Sequence, residues 1–201
     1  KMIPLRQDTF DQYVNERIRR LKESLESAQE AQNEGNNGYR RRKSGNDIDK
    51  ITVKRIEKKI KKLEKKLKER NEDIRRDDVN RMPCFEELGV QLIANDESQE
   101  HKNLGFESRM SNVAGLSMTE SDRAFDMYIK TQYVQNHDGR VIFATGTPVS
   151  NTLAEIFTLM RYLQLPLLVK LGLDNFDSWV QTFASVTNSI EMKVTGKWEV
   201  V

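Results

Sequence analysis

Between residues 8 and 33, apolar side chains recur at Val14, Ile18, Leu21, Leu25 and Ala28, spaced four, three, four and three apart. That rhythm places them in one seam of a helix. A second seam runs through Val53, Ile56, Ile60, Leu63, Leu67 and Ile74, with Lys, Arg and Glu at nearly every other position. Each stripe is too narrow to cover a globular core, and the two helices match in length. The pattern therefore predicts an antiparallel helical hairpin, a coiled coil in which each stripe buries the other. The intervening NEGNNGYRRRKSGNDID is rich in Gly, Asn and Ser, leaves room for the chain to reverse, and offers Asp47 or Asp49 as a cap for the second helix.

The texture changes after Arg81. Met82-Pro83 ends the helical pattern, and PCFEELGVQLIAND reads as a short helix from Cys84 to Leu88, a stop at Gly89, and a buried strand around Gln91-Leu92-Ile93-Ala94. Residues 119–135 predict a helix capped by Ser121 or Thr119, with Ala124, Phe125, Tyr128, Ile129 and Tyr133 on its apolar side. His137-Asp138-Gly139 is a turn, and Val141-Ile142-Phe143-Ala144 a second apolar strand. A helix then runs from Asn151 through Leu153, Ile156, Phe157, Met160 and Leu163 to a stop near Pro166. Strand, helix, strand, helix with unalternated apolar strands predicts an α/β fold whose parallel sheet is covered on both faces. Residues 190–194 and 197–201 flank Thr195-Gly196 as a hairpin. Met110, Met118, Met127, Met160, Trp179 and Trp198 read as packing residues, Arg109 and Arg123 as members of surface ion pairs or, alternatively, as phosphate contacts, and His101 as a partly buried surface histidine.

Charge alters the picture of the hairpin. From Arg40 to Arg70 there are fifteen Lys or Arg and five acids, although the whole chain carries only +2, so a basic arm adjoins an acidic body. Such an arm suits either a polyanion, with Arg41, Arg42, Lys58, Lys59, Lys61 and Lys62 as candidate contacts, or simply a solvated lysine-rich helix. The competing reading is a docking or self-associating coiled coil. Tyr39 is the one aromatic near the arm, so stacking on single-stranded bases has little support. No apolar run reaches the roughly 18 residues of a membrane span, and the opening KMIPLRQDTF lacks the apolar core of a secretory signal. One cysteine, Cys84, permits no internal disulfide and fits a reducing cytoplasm. The opening Lys1 suggests a fragment of a longer protein.

Both predicted strands end in polar clusters, DESQ at 96–99 and TGTP at 145–148. Ligands of open parallel sheets sit beyond the carboxyl ends of the strands, which is where both clusters fall. A strand-end aspartate, Asp96, suits a Mg²⁺ ion bound to nucleotide phosphates, because Mg²⁺ takes only one or two protein carboxylates. An adjacent acid, Glu97, can orient and deprotonate an attacking water.

Asp96-Glu97-Ser98-Gln99 with Lys102-Asn103-Leu104 resembles the Walker B or DEAH-type motif of superfamily 2 helicases, above all their Swi/Snf-like branch, and Thr145-Gly146-Thr147-Pro148-Val149-Ser150-Asn151 resembles that branch's motif III. The stretches NVAGLSMTESDRAFDMYIKTQYV and LAEIFTLMRYLQ are similar to helicase-methylase proteins of bacterial mobile elements and phages, and the resemblance spans about residues 81–190. It implies that Asp96 coordinates Mg²⁺, that Glu97 activates the hydrolytic water, and that Gln99 links nucleotide state to the loop of Thr145, Gly146 and Thr147. It further implies a cofactor, Mg-ATP, and a partner, double-stranded DNA. Residues 81–201 become the later half of a first RecA-like lobe, a partial parallel sheet with flanking helices, and residues 1–80 an inserted basic hairpin. The chain departs from the family where Gln99 replaces a His, Asn95 an apolar strand residue, and His101 an apolar residue. No G-x-x-x-x-G-K-[ST] loop occurs, and Gly196-Lys197 is followed by Trp198. The expectation is thus part of an ATP site that is inactive alone and completed by a Walker A segment and second lobe elsewhere in the parent. The alternative is a non-catalytic coiled-coil interaction module.

Overall fold

In the computed structural model, which describes residues 3–36, 43–76, 83–108, 110, 119–150, 152–185, 190–192 and 198–200, the two apolar seams become two long helices. Helix α1 spans Gln7–Asn36 and α2 spans Lys43–Arg76. They pack together through Val14, Ile18 and Leu21 on one and Ile56, Ile60 and Leu63 on the other, all buried. Removing each such side chain from water contributes about 1.5–3 kcal/mol. Near the end of α2, the Arg70 guanidinium donates to the Leu5 carbonyl and lies 4.3 Å from the centroid of the Phe10 ring. The end of one helix therefore lies beside the start of the other, and the pair runs antiparallel. Both helices extend further into the connecting segment than expected, so Asp47 and Asp49 sit inside α2 rather than at its cap. Arg41 and Arg42 lie outside the described residues.

Beyond α2, Phe85–Leu88 form a turn of 3-10 helix closed by Gly89, whose φ of 61° suits glycine. Strand β1 is Leu92–Asn95, α3 is Asp122–Asn136 and β2 is Arg140–Phe143. Ser121 is the cap of α3, its hydroxyl oxygen accepting the Ala124 amide at 3.1 Å. The described chain falls into two units, Lys1–Ile93 with Ile129–Val141, and Ala94–Tyr128 with Ile142–Val201, so the division passes within β1, α3 and β2.

In the first unit the Asn136 amide of α3 donates to the Tyr13 hydroxyl of α1 at 2.9 Å, and the rings of Phe85 and Tyr133 meet edge-on, 6.1 Å apart. Arg140 N donates to the Gln91 carbonyl at 2.8 Å. That approach depends on Gly139, where a Cβ would lie 2.8 Å from both the Gln91 and Val134 carbonyl oxygens.

The second unit contains α4 (Ala154–Leu163), α5 (Leu165–Lys170), α6 (Phe176–Phe183) and an antiparallel pair, β3 (Ile190–Met192) with β4 (Trp198–Val200), in the register Ile190 opposite Val200. Pro166 stands in the first turn of α5, so it opens a helix as well as ending the preceding one. Phe106, Phe157, Phe176 and Trp179 form an aromatic core joined by Leu168, with Met110 and Met160 packed against it. Leu104, Ala124 and Tyr162 form a second cluster, joined by Met127, Tyr128 and Phe143. Ala144 N donates to the Asn95 carbonyl at 2.8 Å, in step with the Arg140–Gln91 bond, so β1 and β2 pair in parallel.

The arrangement is α/β, but the strands are not buried on both faces. Leu92 is 54% exposed and Ile142 55%, while Ile93 and Phe143 on the alternate positions are partly covered. An unbroken apolar run permits two-sided burial without requiring it. Among the described residues no helix is long and apolar enough to cross a membrane.

Candidate functional site

Where β1 stops, the backbone turns abruptly. Glu97 adopts φ 58° and ψ 46°, the left-handed region that a residue with a side chain occupies at a cost of about 1–2 kcal/mol. That turn lets the chain enter a short 3-10 helix at Ser98–His101, and Ser98 N donates to the Ala144 carbonyl at 3.0 Å. Parallel pairing sets the carboxyl ends of β1 and β2 side by side. The 96–99 cluster and the 145–148 cluster therefore meet at one rim.

Gln99 joins them. Its carbonyl oxygen accepts the Thr145 hydroxyl at 2.6 Å, and its amide nitrogen donates to a Glu97 carboxylate oxygen. Thr145 Oγ1 in turn accepts the Thr147 amide at 3.1 Å. Donor and acceptor alternate without conflict along the whole line from the Thr147 backbone to the Glu97 carboxylate. Asp96 Oδ1 accepts the Glu97 amide at 2.9 Å, and both carboxylates are exposed. Gly146 is exposed and leaves open space beside its Cα. A hard, solvent-facing carboxylate at a strand end is the donor type that Mg²⁺ uses. Among the described residues no three His, Cys, Asp or Glu side chains are grouped as metal ligands.

A second bracket binds the same two loops. Lys102 Nζ donates to Ser150 Oγ at 2.8 Å and lies 3.3 Å from a Glu155 carboxylate oxygen, and that carboxylate accepts the Ser150 amide at 2.5 Å. Burial pushes the Glu155 carboxyl up, but the Ser150 amide and hydroxyl and the Lys102 ammonium together outweigh it and hold it below the usual carboxylate range. Nothing in the residue pattern marks Glu155 as this partner beyond its place in the first turn of α4.

The two off-pattern polar residues also find each other. The Asn95 side-chain amide lies 3.2 Å from His101 Nδ1, and His101 is buried. Burial, and then the nearby positive charge of Arg123, lowers the His101 pKa, and because an amide nitrogen only donates, Nδ1 is the acceptor in this contact. Tyr162, fully buried, directs its hydroxyl at the Ala124 carbonyl (2.8 Å) and the His101 carbonyl (3.1 Å), fixing the 3-10 turn from behind. Arg123 makes an ion pair with Glu100 at 2.6 Å; Arg109 and Met118 lie outside the described residues.

Of the candidate DNA contacts, Lys58, Lys61 and Lys62 are exposed on α2 and Lys59 is half-buried. These lysines belong to the first unit, and the rim just described to the second.

No curated protein and no solved structure matches the chain. A family model described as a probable helicase domain matches residues 2–200, nearly the whole length. The rim of acids and threonines thus sits in a chain that belongs to the probable helicase domain family.

Proposed function

We propose that the chain supplies the later half of the first RecA-like lobe of a Swi/Snf-like superfamily 2 ATPase that moves on double-stranded DNA. Residues 1–80 are an insertion in that lobe, and 81–201 carry its acidic motif and motif III. The observation that supports this most directly is the Gln99 bridge, with Thr145 on one side of one amide and Glu97 on the other. A residue so placed transmits any shift of the acidic loop to the threonine loop, and a shift of that kind follows from loss of the γ-phosphate.

Asp96 would hold a magnesium ion accompanying ATP, and Glu97 is placed to accept the proton of an attacking water. Mg²⁺ supplies neutralisation of the phosphate charge. Thr145, Gly146 and Thr147 would face the nucleotide, and the Lys102–Ser150–Glu155 bracket keeps their loop against the acidic one. The 201 residues contain no Gly-rich loop ending in Lys-Ser or Lys-Thr, so the reading requires that loop and a second lobe from elsewhere in a longer protein.

Two measurements test the assignment. In a protein that unites this chain with those parts, Glu97→Gln should leave ATP bound and reduce hydrolysis at least a hundredfold. Hydrolysis at the parental rate would remove Glu97 from its role. ATP turnover by the 201-residue chain alone would overturn the division of labour.

A further inference from the structure

The exposed side of α2 carries a feature finer than net charge. Lys54, Lys58, Lys61, Lys65 and Lys68 are spaced four, three, four and three apart, so they form one line along the helix, and all five are exposed. At 1.5 Å per residue the line is about 21 Å long. It lies around the helix from the buried Ile56, Ile60 and Leu63 that face α1. Arg55, Lys59, Lys62 and Lys66 extend the basic surface to one flank, while Glu57 and Glu64 border the other. Lys65 shares its charge with Glu69 at 3.2 Å.

Like charges at three- and four-residue spacing repel, and Glu57, Glu64 and Glu69 offset only part of that repulsion, so an anion laid along the line is favoured. The identity of that anion follows from what else is exposed. Between Thr52 and Arg70 every exposed residue is charged. A protein partner draws most of its affinity from apolar or aromatic anchors, and this face offers none. Stacking on single-stranded bases needs aromatic side chains, absent here as well. Lysine is a compact point charge that neutralises phosphate but lacks the bidentate fork with which arginine reads bases.

We infer that the lysine line of α2 is a contact strip for the phosphate backbone of double-stranded nucleic acid, bound without regard to sequence. The choice of nucleic acid rests on the helicase reading; the choice of strip rests on the spacing and exposure of the five lysines. Counterion release sets the scale, since five phosphate contacts correspond to a slope of about −4.5 in log K against log salt.

The test is binding of a 30-base-pair duplex of arbitrary sequence by the 201-residue chain, without nucleotide, across a salt series. Lys58→Gln, Lys61→Gln and Lys68→Gln together should reduce the magnitude of the slope by about 2.7. A control with the same net charge, Lys22→Gln, Arg140→Gln and Lys170→Gln, should change it by less than about 1, and far-UV circular dichroism checks that both variants keep their helices. An equal loss in the control, an unchanged slope in the strip variant, or tighter binding to a single strand than to the duplex overturns the proposal. So does a chain that binds no duplex at low salt but gains mass with concentration, which would make the pair a self-association surface. Because no nucleotide is involved, failure here leaves the ATP-site reading to its own test.

Discussion

Replacing Asn95 by Leu restores the apolar residue that the end of a covered strand favours, and should nevertheless destabilise the chain. The Asn95 amide is the donor that His101 Nδ1 faces at 3.2 Å, and His101 is only 9% exposed. Asn95→Leu leaves that ring nitrogen buried without its donor, a loss of about 1–3 kcal/mol, set against less than about 1 kcal/mol gained from a half-buried apolar side chain. The net expectation is a destabilisation of about 1–2 kcal/mol, or about 2–8 °C in Tm for a chain of this size. His101→Leu strands the other partner, which is half-exposed and can turn to water, so about 0.5–1.5 kcal/mol is expected. Removing both partners leaves nothing unsatisfied. The double variant should therefore lie near the parent, and urea unfolding of the four proteins should give a coupling of about 1.5–3.5 kcal/mol. Additivity within about 0.3 kcal/mol would refute the pairing. An independent arm is pH. Burial lowers the His101 pKa from 6.5, so below that value the unfolded chain binds a proton that the folded chain refuses. Stability present above pH 6.5 is lost as pH falls from 6.5 toward the folded pKa. The difference between the parent and His101→Leu should carry that slope, and a flat difference would contradict it.

Glu155→Gln should cost about 1–2 kcal/mol in chemical denaturation, because the Lys102 ammonium and the Ser150 amide lose a charged acceptor. Its depressed pKa means that this contribution holds above pH 4.5 and disappears as pH falls through the folded value, so parent and variant should converge in acid. Gly139→Ala forces a Cβ to within 2.8 Å of two carbonyl oxygens and should lower stability by about 1–3 kcal/mol, read as a fall in Tm. Phe157→Ala opens the aromatic core beside Phe106, Phe176 and Trp179 and should cost about 3–5 kcal/mol; a loss below 1 kcal/mol would mean that the core collapses freely around the gap.

The heptad seams, the Ser121 cap and the two strand ends are local patterns, and local patterns survive in the sequence. A seam states both its period and its own need for a partner, which is why the helix pair could be read from Val14 to Leu63. Coverage of the sheet is different in kind, because Leu92 and Ile142 have the side chains of buried residues and the exposure of surface ones. Pro166 marked the stop of α4, which ends at Leu163, but that it also opens α5 was not legible, since proline is favoured in a first helical turn as well as after a last one. The Asn95–His101 pair was hidden because each residue breaks a pattern alone, and only the turn at Glu97 brings them together. Glu155 looks like any acid at a helix start.

Gln99 stands where the resembling motif carries a histidine, and that substitution has a consequence for conditions of work. An imidazole changes its charge and its donors between pH 5 and 8, whereas a carboxamide keeps one acceptor and two donors throughout. The junction of Thr145 with Glu97 is therefore indifferent to acidity over the range in which a histidine junction would switch. What couples these two loops in this chain is a fixed hinge pin rather than a titrating one.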